Sequence, residues 1–518
     1  MNHHHLSRFS LFSLAAAALL AGLASAPAAT FTWNNATSGD WVTGTNWLPT
    51  SGPGTNDSAV INDSGTAIVA SGSVHILTIA TGTVAGTSGS VLISGGTLTA
   101  ASTVMLGSAA SGNGSLTLSG GSLSVGSTLT VGSSGTGSLT MSGGSLTNLG
   151  TTVVGNLANS FGSISVTGGT WTGSTNFNIG AAGQGMVQIS GGGAISAVTL
   201  SIANSSTGVL IVNSGSFVTS GAMTVGGSVS ASGTITLSGG LISVTSSNLG
   251  NIAGSRAVVT VNGGTYSNST TLTVGRFGAS TLQVNTGGAV VSNIALVGST
   301  TTGVGTVGVD GGTWTNTTSL TIGQYGSGNT LDIQNAGQVS AASAVVGTGS
   351  SSSSAFGSNN AVTVSDNGSM WLISGSAVVG DYGSNNTLTV QNHGLVKIDG
   401  TLGLSQHGSS GNFLRLDWGY AALLGNQTGN VNTLLTAGDI KIWNGSSWVT
   451  ATGNANFTAT YYNGNDTAAF NATGYHGLGN YTILTAVPEP GTCALIGLGV
   501  GALLLGRRKR QASQPKDL

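Results

Sequence analysis

Paired glycines recur along this chain at nearly constant intervals, and that period limits the fold more than any other feature. They occur in Ser94-Gly95-Gly96-Thr97, Ser119-Gly120-Gly121-Ser122, Ser142-Gly143-Gly144-Ser145, Thr167-Gly168-Gly169-Thr170 and Ser190-Gly191-Gly192-Gly193, spaced 25, 23, 25 and 23 residues apart. The series continues through Gly239, Gly263, Gly287 and Gly311, with degenerate copies at Ser214-Gly215, Ala336-Gly337, Asn367-Gly368 and His393-Gly394. A second marker follows each pair by 11 or 12 residues: an apolar couple closed by glycine, as in Leu106-Gly107, Val131-Gly132, Val154-Gly155 and Ile179-Gly180. A period of this length means one small unit that buries its apolar face only by stacking on its neighbours.

The unit is made of short strands. Gly114-Ser115-Leu116-Thr117-Leu118-Ser119, Ser122-Leu123-Ser124-Val125 and Thr128-Leu129-Thr130-Val131 alternate polar and apolar residues, the period of a half-buried strand and not of a helix. Glycines fall between the strands, at corners where a positive φ is needed. The expected fold is therefore all-β, a parallel β-helix (β-solenoid) of about 24-residue repeats. Roughly thirteen marked coils at about 4.8 Å each make a rod about 60 Å long.

Composition agrees and excludes some functions. With 88 Gly, 6 Pro and 5% charged residues in 518, the chain is unlike a string of ordinary domains, yet 39% hydrophobic residues give it a core to bury. Between the two ends the only basic residues are Arg256, Arg276, Lys397, Arg415 and Lys441, and the net charge is -2. A phosphate-binding surface needs clustered Lys and Arg, so no nucleic-acid partner is expected. The single cysteine, Cys493, rules out an intrachain disulfide framework.

The two ends carry an address. Met1–Arg8 is polar and basic, Phe9–Leu23 is apolar, and Ala26 and Ala28 form an A-x-A pattern. This is the layout of a signal peptide, with cleavage expected between Ala28 and Ala29 and passage through the export machinery. At the other end, Val487-Pro488-Glu489-Pro490-Gly491 precedes the apolar stretch Thr492–Gly506 and then the basic cluster Arg507-Arg508-Lys509-Arg510. The apolar stretch is expected to enter the inner membrane as a helix, with the basic cluster as a stop signal on the cytoplasmic side. The two prolines hold the preceding motif extended. Glu489 is the only glutamate in the chain.

This tripartite tail resembles the PEP-CTERM sorting signal of Gram-negative bacteria. The resemblance implies recognition through Pro488, Glu489 and Pro490, processing by an exosortase, and association with exopolysaccharide or biofilm matrix. It covers only the last thirty or so residues. Near the start, Trp33, Trp41 and Trp47 with Pro49, Gly52-Pro53-Gly54 and Asp57 resemble the opening of exported repeat proteins related to autotransporter passenger domains. The expected division is a signal peptide at 1–28, an aromatic β cap at 29–85, solenoid repeats at 86–411, and a C-terminal β cap or accessory domain at 412–486. The sorting signal with its transmembrane helix follows at 487–510 and a cytoplasmic tail at 511–518.

No catalytic set stands out, and the chain is expected not to be an enzyme. Asp310, Asp332, Asp366, Asp381, Asp399 and Asp417 share no fixed repeat position, and His75, His393, His407 and His476 lack a metal-binding spacing. Neither a metal nor a cofactor is expected. The turns Gly275-Arg276-Phe277-Gly278, Gly323-Gln324-Tyr325-Gly326 and Gly380-Asp381-Tyr382-Gly383 recur at one place in the repeat. Phe277, Tyr325 and Tyr382 are therefore candidates for an aromatic strip that packs the corner or contacts sugars. The leading expectation is a noncatalytic structural protein of the envelope surface or extracellular matrix. The alternatives are a secreted carbohydrate-binding or polysaccharide-cleaving β-helix protein, or an adhesin.

Overall fold

The computed structural model describes residues 28–350, 356–453 and 455–487. They form a parallel β-solenoid of about 16 turns of roughly 25 residues. One turn shows the plan: strand Asn113–Leu118, then the shorter strands Ser122–Val125 and Thr128–Val131, each pairing in parallel with its equivalents one turn before and after. Alternation sends Leu116, Leu118, Leu123, Val125, Leu129 and Val131 into the core, all essentially inaccessible. The intervening Ser and Thr face outward and bond along the rod, as Ser90 Oγ does with Ser115 Oγ at 2.7 Å and Ser122 Oγ with Thr97 Oγ1 at 3.0 Å.

The stack is longer than its glycine markers indicate. The first arm of the turn runs without a break from Ser38–Asp40 to Ile440–Trp443. At about 4.8 Å per step the rod is roughly 75–80 Å long. The early turns lack a paired glycine, so the marker undercounts them.

In-register stacking places like residues in columns. Leu116, Leu139, Ile164, Val187 and Leu210 follow one another down the first arm. In the second arm Trp171, Phe217, Tyr266 and Trp314 alternate with Ile195, Ile242 and Val290. Large rings in alternate turns suit a spacing too short for bulky side chains at every level. The corners need glycine: Gly132 has φ +73°, and a Cβ there would lie 2.3 Å from the Phe161 carbonyl oxygen.

One interior column changes chemistry along the rod. Its early positions are Gly114, Gly137, Gly162, Gly185 and Gly208, and its last four are Asn329, Asn360, Asn386 and Asn412, all fully or nearly fully buried. Each asparagine accepts, through Oδ1, both the backbone N–H and the side-chain amide of the one before. The distances are 2.9 and 2.8 Å from Asn329 to Asn360, 2.9 and 3.0 Å from Asn360 to Asn386, and 2.9 and 3.0 Å from Asn386 to Asn412. Gly305 N–H donates to Asn329 at 2.7 Å and extends the ladder by one turn. The facing corner must again be glycine, because a Cβ on Gly323 would lie 2.1 Å from Asn360 Nδ2.

Both ends of the core are closed. Trp33, Trp41 and Trp47 are buried edge-to-face, with Trp33 and Trp41 each 4.9 Å from Trp47 between ring centroids. Strand Thr30–Trp33 pairs antiparallel with Trp47–Leu48 on one side and parallel with Ser58–Ile61 on the other. At the far end, helix Thr428–Ala437 stops at Gly438, whose φ of 75° lets its N–H reach back to Leu434 and Leu435, and it buries Val431 and Leu434 against the core. Strand Trp448–Thr450 closes one ladder by pairing antiparallel with Ile440–Trp443. Strand Tyr481–Ala486 closes the other, antiparallel to both Tyr420–Leu424 and Phe457–Tyr461. Antiparallel strands and a helix thus cover edges that otherwise recruit further strands.

Asn360→Ala removes the acceptor of two buried donors on Asn329, each costing about 1–3 kcal/mol when unpaired. The expected outcome is a lower urea midpoint together with loss of hydrogen-exchange protection at the Asn329 amide. Unchanged exchange there would show that the ladder contributes little.

Candidate functional site

The chemistry-bearing side chains gather where the C-terminal segment folds back over the later turns. Helix Asp466–Thr473 begins under the side chain of Asn465, which accepts from Ala468 N–H at 3.0 Å, and ends at Gly474 with φ 80°. The loop beyond it carries Tyr475 to the rod. Tyr475 Oη donates to the His393 carbonyl at 2.8 Å and accepts from Gly368 N–H at 2.9 Å. Tyr475, Leu478, Tyr481 and Ile483 form a second apolar cluster with Leu395, Ala422 and Ala469.

A cleft of about 450 Å³ lies between this loop and the outer surface of the turns beneath it, with Thr317, Ser340, Met370, Lys397, Asp399 and Tyr475 among its walls. Lys397 Nζ and Tyr481 Oη both donate to Asp399 Oδ1 at 2.7 Å, and the ammonium lies 4.9 Å from the centre of the Tyr481 ring. Burial pulls the Lys397 pKa down, but its hydrogen bonds to Asp399 and Tyr481 and the charge of Asp399 outweigh it, so the net shift is upward. Tyr481 is also raised, first by burial, against the opposing hydrogen bond with Lys397. Burial likewise raises Tyr475. The arrangement offers an aromatic wall, a cation and hydroxyls to a polar ligand.

A second arrangement runs along one corner. Phe277, Tyr325 and Tyr382 occupy equivalent corner positions, but Thr300 stands at that place in the turn between the first two. Phe277 instead lies 5.3 Å from the Arg276 guanidinium. Tyr382 stacks on Phe356 at 6.1 Å and on His407 at 4.6 Å, with interplanar angles of 12° and 8°. His407 Nδ1 contacts Asp381 Oδ1 at 2.7 Å, and Thr348 Oγ1 donates to Asp381 Oδ2 at 2.8 Å. Phe356 and His407 escape the sequence pattern, Phe356 because extra residues separate it from Gly347 and His407 because an imidazole replaces the expected ring. The shared signal is a ring immediately before glycine, in Phe356-Gly357 and His407-Gly408.

Of the other acidic residues singled out in the sequence, Asp332 and Asp417 are partly buried, which raises the pKa of each, and Asp310 and Asp366 take part in structural hydrogen bonds. Asp310 accepts from Asn335 Nδ2 at 2.7 Å and from Gln334 Nε2 at 3.3 Å, while Asp366 accepts from Asn335 N–H at 3.4 Å. Among the described residues no group of three or more His, Cys, Asp or Glu side chains is placed to hold a metal.

The address signals flank the described fold. Ala28 and Ala29 are exposed just before strand Thr30–Trp33, and Ala29 N–H donates to Asp57 Oδ1 at 3.0 Å. The rest of the signal peptide lies outside the described residues. So do the motif residues Pro488, Glu489 and Pro490, the apolar stretch after them, and Arg507, Arg508, Lys509 and Arg510. Among the described residues no helix is long and apolar enough to cross a membrane.

The last described strand of the parallel solenoid ends at Ala486, two residues before Pro488. A family profile, the PEP-CTERM protein-sorting motif, matches residues 486–511, starting at the final residue of strand Tyr481–Ala486. The chain therefore carries a PEP-CTERM sorting motif, which implies export and exosortase-dependent sorting. Its solenoid is consistent with a passenger-like repeat architecture. No curated protein and no solved structure matches the chain.

In the folded protein both Lys397 and Tyr481 have raised pKa values, so their contribution to stability is present below the unfolded values near about 10 and is lost as pH rises. Limited proteolysis is expected to cut the C-terminal segment faster above about pH 10 while the solenoid core stays resistant. Asp399→Asn is expected to bring that release to lower pH. A cleavage pattern independent of pH would remove the Lys397–Asp399–Tyr481 contact as a clasp.

Proposed function

We propose that the chain is a noncatalytic structural protein of the cell surface or extracellular matrix, a rigid rod held at the inner membrane by its tail and then sorted through exosortase processing. The observation that carries this reading is the junction of a continuous β-solenoid with the sorting motif. The last described backbone hydrogen bond of the fold, from Val487 N–H to the Asn456 carbonyl at 2.8 Å, immediately precedes Pro488. Cleavage in the motif then frees a rod whose core and caps are already complete. The hydroxyl-rich outer surface, low in charge, suits association with exopolysaccharide in a biofilm matrix. The engagement of Asp310, Asp366, Asp381 and Asp399 in structural hydrogen bonds supports the noncatalytic part of the reading.

A second reading, a carbohydrate-binding or carbohydrate-cleaving β-helix protein, is favoured by the cleft at Lys397, Asp399 and Tyr475. Chain shortening of the host's own polysaccharide supports cleavage, and saturable binding without shortening supports the scaffold.

Intact masses of wild type and Glu489→Ala, recovered from membrane and extracellular fractions of an exosortase-containing host, test the sorting. Wild type alone is expected to lose its tail near Pro490 and leave the membrane fraction. An unprocessed tail in both proteins would overturn sorting and leave a permanently anchored rod.

A further inference from the structure

The last turns of the rod present an aromatic and cationic patch remote in character from the cleft. Arg415, on strand Phe413–Asp417, and Lys441, on strand Ile440–Trp443, sit side by side in register on the outer face. They are two of only five basic residues between the chain's ends. Like charges opposite one another on neighbouring strands are destabilising. Neither cation forms an ion pair, since the ion pairs among the described residues are Lys397–Asp399, His407–Asp381 and His476–Asp466. Asp439 lies within electrostatic range of Lys441 without pairing with it. Lys441 Nζ donates only to Thr450 Oγ1, at 2.9 Å, and Arg415 Nε is covered yet has no hydrogen-bond partner.

Two aromatic rings flank the pair, and a third packs behind one of them. The Arg415 guanidinium lies 5.4 Å from the Trp448 ring and 5.9 Å from Phe413, and Lys441 Nζ lies 4.8 Å from Phe413. Trp443 packs against Trp448 at 5.4 Å and remains 38% exposed. Rings fix the guanidinium in place but leave its outward N–H groups available to a planar anion.

We infer that Arg415, Lys441, Trp443 and Trp448 form a binding site for an acidic, carboxylate-bearing polysaccharide. The two cations take a sugar carboxylate and the indoles take the apolar faces of adjoining sugar rings. The site rests on the matrix reading above and names the chemistry of the matrix partner. Charge complementarity selects this occupant, because a neutral glycan gains nothing from two adjacent unpaired cations.

Binding of the full chain, purified from an exporting host, is measured by affinity electrophoresis in gels containing polygalacturonate or dextran. Wild type is expected to be retarded by polygalacturonate, less so at high salt, and not by dextran. Arg415→Gln/Lys441→Gln is expected to weaken retardation at least about tenfold. Trp443→Ala, at an exposed position, is expected to weaken it several-fold with unchanged circular dichroism. Equal retardation by both polymers, or a double variant that binds like wild type, overturns the acidic site and leaves matrix association through another surface. Retardation by neither polymer also overturns the site, whereas sorting is judged separately by the intact masses.

Discussion

Each turn of this rod is held by the turn beside it. A strand of four to six residues has no stability alone, and its backbone groups find partners only when an equivalent strand lies in register one step away. That requirement explains the repeat, because a residue that fits the core at one level fits again at the next. It also explains the scarcity of charge. A chain with 5% charged residues gains little from ion pairs, and hydrogen-bonded ladders and aliphatic columns take their place.

The columns are not uniform, and their variations show how the core tolerates polarity. At one corner Asn148, Thr152 and Ser174 form a buried chain with distances of 3.0 and 2.8 Å, and the Trp171 indole donates to Ser174 at 3.3 Å. Further along, Tyr266 Oη donates to Ser247 at 2.6 Å, and burial raises its pKa. In these places polar groups enter the core in bonded sets, whereas Thr81 Oγ1 and the indole N–H groups of Trp314 and Trp371 are buried without a partner. The asparagine ladder is the longest such set and ties together the turns that also carry the cleft and the stacked rings.

Much of this architecture is legible in the sequence because the turn is local. The alternation in Ser122–Val125 and Thr128–Val131, the six inward aliphatics and the glycine corners all follow from neighbouring residues. The asparagine column is harder to see, since Asn329, Asn360, Asn386 and Asn412 sit among abundant Asn and Ser, and their spacing changes from 31 to 26 residues. What marks them is a place two residues before the first inward aliphatic, as in Asn329-Thr330-Leu331 and Asn386-Thr387-Leu388. The cleft is not legible. It depends on Tyr475 reaching Gly368 and Tyr481 reaching Asp399, pairs 107 and 82 residues apart that no period relates. Stacking of Phe356, Tyr382 and His407 likewise needs the register of three separate turns. The sorting motif is legible at once because an enzyme reads it as a short linear signal, independent of packing.

The position of strand Tyr481–Ala486 has a mechanical consequence. It lies between two antiparallel neighbours, and the chain leaves it directly toward the tail. Tension on the tail pulls along this strand, while its hydrogen bonds run across it to both sides. The bonds therefore resist in shear and must fail together, whereas a terminal edge strand peels one bond at a time. A load applied at Ala486 is thus shared across residues 482–484 by two ladders at once.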